Sequence, residues 1–396
     1  MKNSYSNNNF EVEKLQTTIV GYGRYGNKYI GPKYAKNSYS WETVAVVDPL
    51  ITKSKFSESV LGRKRPQTEL FKSFEEWYEN YFAKLDNNEK SRQVIEIALK
   101  PELVYSQALL YIEAGVKNII LPKPVVVNQK ELSRLTELVK KHQVKAAVSS
   151  QWYYCQLPKF IKREIKRIAP NFYHKNGIPS IHKIEVDFSK ENGCAYQTKP
   201  PLLELPHALQ LVSSIGLADL SKDIPEVSGT DTAVNIVYRS EAIREGIHIH
   251  TNIDIKPLTY LKKQFPLWDI QERSLKIYLW ENSVQPELEV DFWVKFDSSG
   301  ELAIRPGKLR ILDSELTDKP EILELTFQED QLLRMNQCIY QAFAQNAAEF
   351  NNNETVLSLE KYGSIGQQIM QIMRLWEAAK NNNLDSGTKV GELLEV

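Results

Sequence analysis

The chemistry-bearing residues begin with Gly21-Tyr22-Gly23-Arg24-Tyr25-Gly26, a G-x-G-x-x-G loop directly after the apolar run Thr17-Thr18-Ile19-Val20. In this context the pattern suits the pyrophosphate of a dinucleotide. Gly21 permits a tight turn, Gly23 lets the backbone approach the phosphates, and Gly26 lets helix and strand pack closely. The helix that follows offers unpaired N–H groups and a partial positive charge to the same phosphates, and Arg24 and Tyr25 join the loop as expected cofactor contacts. Asp48 closes the next apolar run, Val44-Ala45-Val46-Val47. A carboxylate there accepts hydrogen bonds from the adenosine ribose and repels a 2′-phosphate, which favours NAD over NADP. Lys53, Lys55 and Arg63 follow within reach of such a phosphate, so NADP stays open, as does a plain turn-capping role for Asp48.

These residues must be positioned by a strand, turn, helix and strand. Gly31-Pro32 predicts a break or kink in that first helix. Further strands are expected at Val94–Leu99, Val116–Leu121 and Ala146–Val148, with helices over Leu103–Ala114 and Gln129–His142. Strands alternating with helices on short links predict a parallel sheet covered on both faces. From Gln151 the pattern changes. A Lys/Arg-rich helix over Leu157–Ile168 leads to half-exposed strands at Ile181–Phe188, Thr232–Tyr238, Ile247–Ile255, Ser274–Trp280 and Leu288–Phe296. This predicts an open, mostly antiparallel sheet with helices such as Leu205–Ile215 on one face. Helical periodicity returns over Gln328–Phe350 and Ser358–Lys380, divided by Asn351-Asn352-Asn353.

The 396 residues make two domains the natural expectation, and 42% hydrophobic with 25% charged residues is the balance of a globular chain. Lys plus Arg equals Asp plus Glu at 50 each, so no basic field points to nucleic acid. The three cysteines, Cys155, Cys194 and Cys338, are too sparse for a disulfide framework or a structural zinc site. His248 and His250 share one side of a strand, as a metal pair would, but no acid or cysteine stands at ligand spacing, and no metal is expected. The polar stretch Met1–Gln16 and the absence of a long apolar window predict a cytoplasmic protein with no membrane partner.

At this point a resemblance emerges to the glucose-fructose oxidoreductase, inositol dehydrogenase and MocA family (Gfo/Idh/MocA). It rests on the glycine loop, Asp48-Pro49, Phe71-Lys72-Ser73-Phe74-Glu75-Glu76-Trp77, Glu113-Ala114-Gly115-Val116 and Leu121-Pro122-Lys123-Pro124. Leu288-Glu289-Val290-Asp291-Phe292, Ser358-Leu359-Glu360 and Glu377-Ala378-Ala379 extend it towards the C-terminus. The resemblance implies a Rossmann domain over residues 1–150 and an α/β substrate-binding and oligomerisation domain over 151–396, with C-terminal helices packing back on the first.

It also implies site residues. The family's Glu-Lys-Pro reads Pro122-Lys123-Pro124 here, keeping the lysine expected to touch nicotinamide and substrate and losing the acid before it. An ammonium at the end of a parallel strand can polarise a carbonyl or orient a hydroxyl. The family's Asp and His, four residues apart, align with Leu203-Glu204-Leu205-Pro206-His207, where the acid stands three residues before the histidine. In a first helical turn the helix dipole disfavours the charged imidazole, which suits His207 to act as general base with Glu204 as partner. Gln151 and Tyr153, after the last Rossmann strand, are expected to line the substrate pocket, although aromatic packing accounts equally well for this stretch.

The expected function is NAD(P)-dependent hydride transfer to or from a small polar substrate, such as a sugar, cyclitol or related alcohol or ketone. An imine or alkene reductase of the same fold and a non-catalytic dinucleotide sensor stand as alternatives. An uncovered sheet face predicts a homodimer or homotetramer, with apolar rows such as Leu288–Phe296 buried by the second subunit.

Overall fold

The computed structural model describes residues 14–23, 25–36, 38, 40–168, 181–190, 204–216, 225–240, 243–252, 271–278, 288–296, 302–305, 308–311, 321–324 and 331–381. They form two compact units. The first contains residues up to Leu121, Glu137–Ala147 and Asn336–Val356, and the second contains Pro122–Thr136, Val148–Met335 and the residues from Leu357.

In the N-terminal sheet, β1 (Leu15–Val20), β2 (Trp41–Val47), β3 (Glu69–Phe71), β4 (Gln93–Ile97), β5 (Asn118–Leu121) and β6 (Lys145–Val148) lie in the order β3-β2-β1-β4-β5-β6. The recorded pairings β1–β2, β1–β4, β2–β3 and β4–β5 are parallel, the doubly wound order of a dinucleotide-binding fold. All of β4 is buried, as expected for a strand covered on both faces. Within it Glu96 accepts from Lys33 Nζ at 2.8 Å and bonds the Tyr34 hydroxyl, which meets Tyr340 at 2.8 Å. Burial, then the charge of Glu96, pushes both tyrosine hydroxyls well above their usual range, so they stay protonated. This network ties Tyr340, on the helix Gln331–Phe343, into the first unit.

The helix after the glycine loop departs from an ordinary α-helix. Gly26–Ile30 is a π-type turn closed by Gly31 N–H donating to Gly26 O, and α-helix resumes over Gly31–Ala35. Pro32 supplies no N–H, so the i−4 ladder cannot run through it, and the wider turn accommodates the gap.

In the second unit, β7 (Ile181–Lys190), β8 (Glu226–Gly229), β9 (Ala233–Ser240), β10 (Ile243–Asn252), β11 (Gln271–Tyr278), β12 (Leu288–Phe296), β14 (Lys308–Ile311) and β15 (Glu321–Glu324) run in the order β15-β14-β12-β11-β7-β10-β9-β8. A ninth strand, β13 (Leu302–Arg305), pairs with β12. Only β7–β10 is parallel among the recorded pairings. Ile184, Val186, Phe188, Ile247, Ile249, Leu275 and Ile277 are buried, and the helix Leu205–Ile215 packs on β7 and β10.

Two expectations need correction. The single helix expected over Gln328–Phe350 is two, Gln331–Phe343 and Ala347–Asn352, and residues 328–330 lie outside those described. Asn346 forms a capping box with Glu349 and begins the second, satisfying N–H groups that a continuous helix would not leave open. The outward row of the second sheet was expected to be apolar. On β7, β9, β10 and β11 it carries Glu185, Asp187, Asn235, His248, His250, Ser274 and Lys276, with Val237 among them. The strand period of two sends the apolar alternates inward, leaving this mostly polar set outside. Side chains of Leu288–Phe296 lie outside the described residues.

Among the described residues no helix is long and apolar enough to cross a membrane.

Candidate functional site

In the first unit, the glycine loop is held by its own sterics. Gly21 has φ +90°, and a Cβ there would stand 2.5 Å from Leu99 Cδ2 and 2.8 Å from Ala98 O. A Cβ on Gly26 would stand 2.3 Å from Gly21 O, so the loop closes only with glycine at both ends. Gly23 is different: it is exposed, and a Cβ would meet nothing within 4 Å. That open side is where a pyrophosphate can approach the backbone, and the chemistry of the loop therefore fits a dinucleotide. Tyr25 is 42% exposed, and Arg24 lies outside the described residues.

Asp48 engages the loop directly. Tyr22 N–H donates to its Oδ2 at 2.6 Å, and Leu50 N–H donates to Oδ1 at 2.8 Å. The carboxylate thus caps its own turn and pins the loop, and its remaining lone pairs are those a ribose can use. Tyr22 is anchored at its other end, its ring against Phe56 and its hydroxyl donating to Ser59 Oγ at 3.2 Å. Burial pushes that hydroxyl up to about 12, so it remains a donor.

In the second unit, Lys123 stands two residues after β5, and its peptide to Pro124 is cis. Lys123 Nζ meets His207 Nε2 in a hydrogen bond. With the lysine charged, the ammonium donates and a neutral imidazole accepts. His207 is 8% exposed and sits in the first turn of Leu205–Ile215, with Pro206 near its start and Gly216 closing it in the left-handed conformation at φ +71°. The carbonyl of Glu204 accepts from His207 N–H at 2.9 Å. Its carboxylate accepts from Arg273 Nη2 at 2.9 Å, both side chains being 1% exposed.

Gln151 and Tyr153 lie on the short helix Gln151–Tyr154, both half-buried, with Tyr153 against the ring of Tyr154. His248 Nε2 lies 3.0 Å from Glu245 O, His250 Nδ1 lies 2.6 Å from Asn235 Oδ1, and no cluster among the described residues could hold a metal ion.

Sequence reasoning missed Arg273. Starting the strand at Ser274 left this residue outside it, whereas β11 begins at Gln271. The signal was parity, because Arg273 shares its side of the strand with Leu275 and Ile277.

Residues 15–150 match the sequence model of an oxidoreductase family with an NAD-binding Rossmann fold, Gfo/Idh/MocA. No curated protein matches the chain in sequence. Among solved structures, the UDP-N-acetylglucosamine 3-dehydrogenase GnnA from Acidithiobacillus ferrooxidans is similar with TM-score 0.60 and 13% identity, covering 92% of this chain and 99% of that one. The WlbA (WbpB) dehydrogenase from Thermus thermophilus, in complex with NAD and UDP-GlcNAcA, gives 0.57 and 15%, covering 90% and 94%. A mutant of KijD10, a 3-ketoreductase from Actinomadura kijaniata in complex with TDP-benzene and NADP, gives 0.59 and 10%, covering 93% and 98%. At these identities the likeness is one of fold.

Proposed function

We propose, from the match of residues 15–150 to the Gfo/Idh/MocA oxidoreductase family, that the chain transfers hydride between a nicotinamide dinucleotide and a small polar alcohol or ketone, a sugar, cyclitol or nucleotide-linked sugar. The observation that carries this reading is the contact of Lys123 Nζ with His207 Nε2. Bound NAD supplies the hydride acceptor, and NADH the donor. Lys123 holds the substrate oxygen and stabilises the negative charge that grows on it as its proton leaves. His207 takes that proton in oxidation and returns it in reduction. Gln151 and Tyr153 line the substrate side, while Gly21, Gly23, Arg24, Tyr25, Gly26 and Asp48 hold the cofactor. The dehydrogenases and the ketoreductase of like fold support an alcohol or ketone over an imine or alkene. Following NADH absorbance with a panel of keto-sugars, cyclitols, nucleotide sugars and imines tests the reading, and turnover confined to the imines would reject it.

We propose that NAD binds more tightly than NADP because of Asp48. Since Asp48 also pins Tyr22 N–H, Asp48→Ala is expected to weaken both cofactors, and NAD more. Calorimetric titration checks this; an unaltered preference for NAD would contradict it.

A homodimer through the outer face of the second sheet remains our proposal, now on polar grounds. Burial raises the Glu185 carboxyl, but hydrogen bonds from Lys183 and Tyr278 and the charges of Lys183 and Lys276 bring it below its usual range. It is therefore ionised beside basic partners, and an isologous pairing can set acids against lysines. Light scattering at micromolar concentration is expected to give twice 45.6 kDa at low salt, and a monomeric mass there would count against it.

A further inference from the structure

Arg273 is a charged side chain in an apolar layer. It is buried on the inward side of β11, and Phe188 is its cross-strand neighbour on β7. Its guanidinium carbon stands 4.9 Å from the ring centre of Phe188 and 5.4 Å from that of Trp152, close enough for both ring faces to attract the cation. Nη2 holds Glu204 at 2.9 Å, while Nε and Nη1 are buried with no hydrogen-bond partner among the described residues. Stability is a poor reason for such a pair, since apolar side chains of similar volume often serve as well or better.

What the pair does hold is the start of a helix. Glu204 immediately precedes Leu205–Ile215, and its carbonyl accepts from His207 N–H at 2.9 Å and Ala208 N–H at 3.2 Å. With its carboxylate fixed by Arg273 and its carbonyl bonded to His207, Glu204 has little room to turn. His207, whose Nε2 meets Lys123, inherits that position.

We propose that Arg273 is a positioning residue, which acts through Glu204 to set the place where His207 meets Lys123. Its effect on turnover rests on the reactive role proposed for Lys123 and His207, whereas its effect on the position of His207 does not.

The test uses the full chain with nitrogen-15 histidine, each imidazole assigned by substitution. Lys123→Met identifies the signature of the Lys123 contact on His207. Arg273→Met is expected to shift the His207 ring-nitrogen signals in the same way and to leave His248 and His250, on the outer face of the sheet, in place. Arg273→Lys keeps the charge and is expected to restore the signals at least halfway. Glu204→Gln keeps the shape of the intermediary, is expected to shift His207 likewise, and decides the matter should Arg273→Met fail to fold. Where turnover is found, Arg273→Met should cut kcat by about 10- to 100-fold with an unchanged Kd for NAD. His207 signals at wild-type positions in a folded Arg273→Met chain, or in Glu204→Gln, would overturn the proposal. Turnover that survives Lys123→Met and His207→Ala would instead overturn the reading of the reaction.

Discussion

Lys123→Met is expected to abolish turnover while NAD binds nearly as well as before. The substitution keeps most of the length of the side chain and removes its charge, so packing at this position changes little. What is lost is the N–H partner of His207 Nε2 and the positive charge that stabilises the negative charge growing on the substrate oxygen. Loss of one positioned electrostatic group typically costs about 10²–10³ in kcat. Loss of a general acid or base costs about 10²–10⁴, and removing this lysine weakens both functions. The glycine loop and Asp48 are untouched. Rapid-mix absorbance for turnover and calorimetry for NAD, on the same preparations, separate the two effects. His207→Ala should fall short of this loss and remove the acid limb of the rate profile for oxidation. A base must be unprotonated to work, so wild-type oxidation should slow as pH falls, and the variant should not follow it.

Gly23→Ala and Gly26→Ala are expected to fail in different ways. A methyl at Gly26 lands 2.3 Å from Gly21 O, a backbone atom, so the loop must move. Overpacking of this kind costs about 1–3 kcal/mol, and both the unfolding midpoint and NAD affinity should drop. At Gly23 a methyl meets nothing in the protein, so the unfolding midpoint should hold. It would project into the space the phosphates need, and affinity should fall about 10- to 100-fold, the equivalent of roughly 1.4–2.8 kcal/mol. Thermal melts beside NAD titrations distinguish the cases; full affinity in Gly23→Ala would place the phosphates elsewhere.

Much of this architecture was legible in single segments. Leu205–Ile215 and Leu288–Phe296 run over the residues their periodicity predicts, because each is long enough to show one period clearly. β3, only Glu69–Phe71, is too short to carry any period and was not foreseen. The kink at Gly31-Pro32 was visible, but its form as a π-type turn was not, since proline marks a missing N–H without saying how the chain absorbs it. The glycine loop could be read because its steric demands are local: the atoms that exclude a Cβ at Gly26 lie within the loop itself. Arg273 could not be weighed that way. Its partners, Glu204, Phe188 and Trp152, are distant in sequence, and only the folded second unit brings them together.

The most direct test of the central claim is isotopic. Incubating the chain with NADH deuterated at the transferable position of nicotinamide C4 and with keto-sugar and keto-cyclitol acceptors should place deuterium on the carbon that bears the new hydroxyl, as read by mass spectrometry and NMR. Deuterium found only on carbon next to nitrogen, with imine acceptors in the same panel, or on a reduced carbon–carbon double bond, would contradict the account.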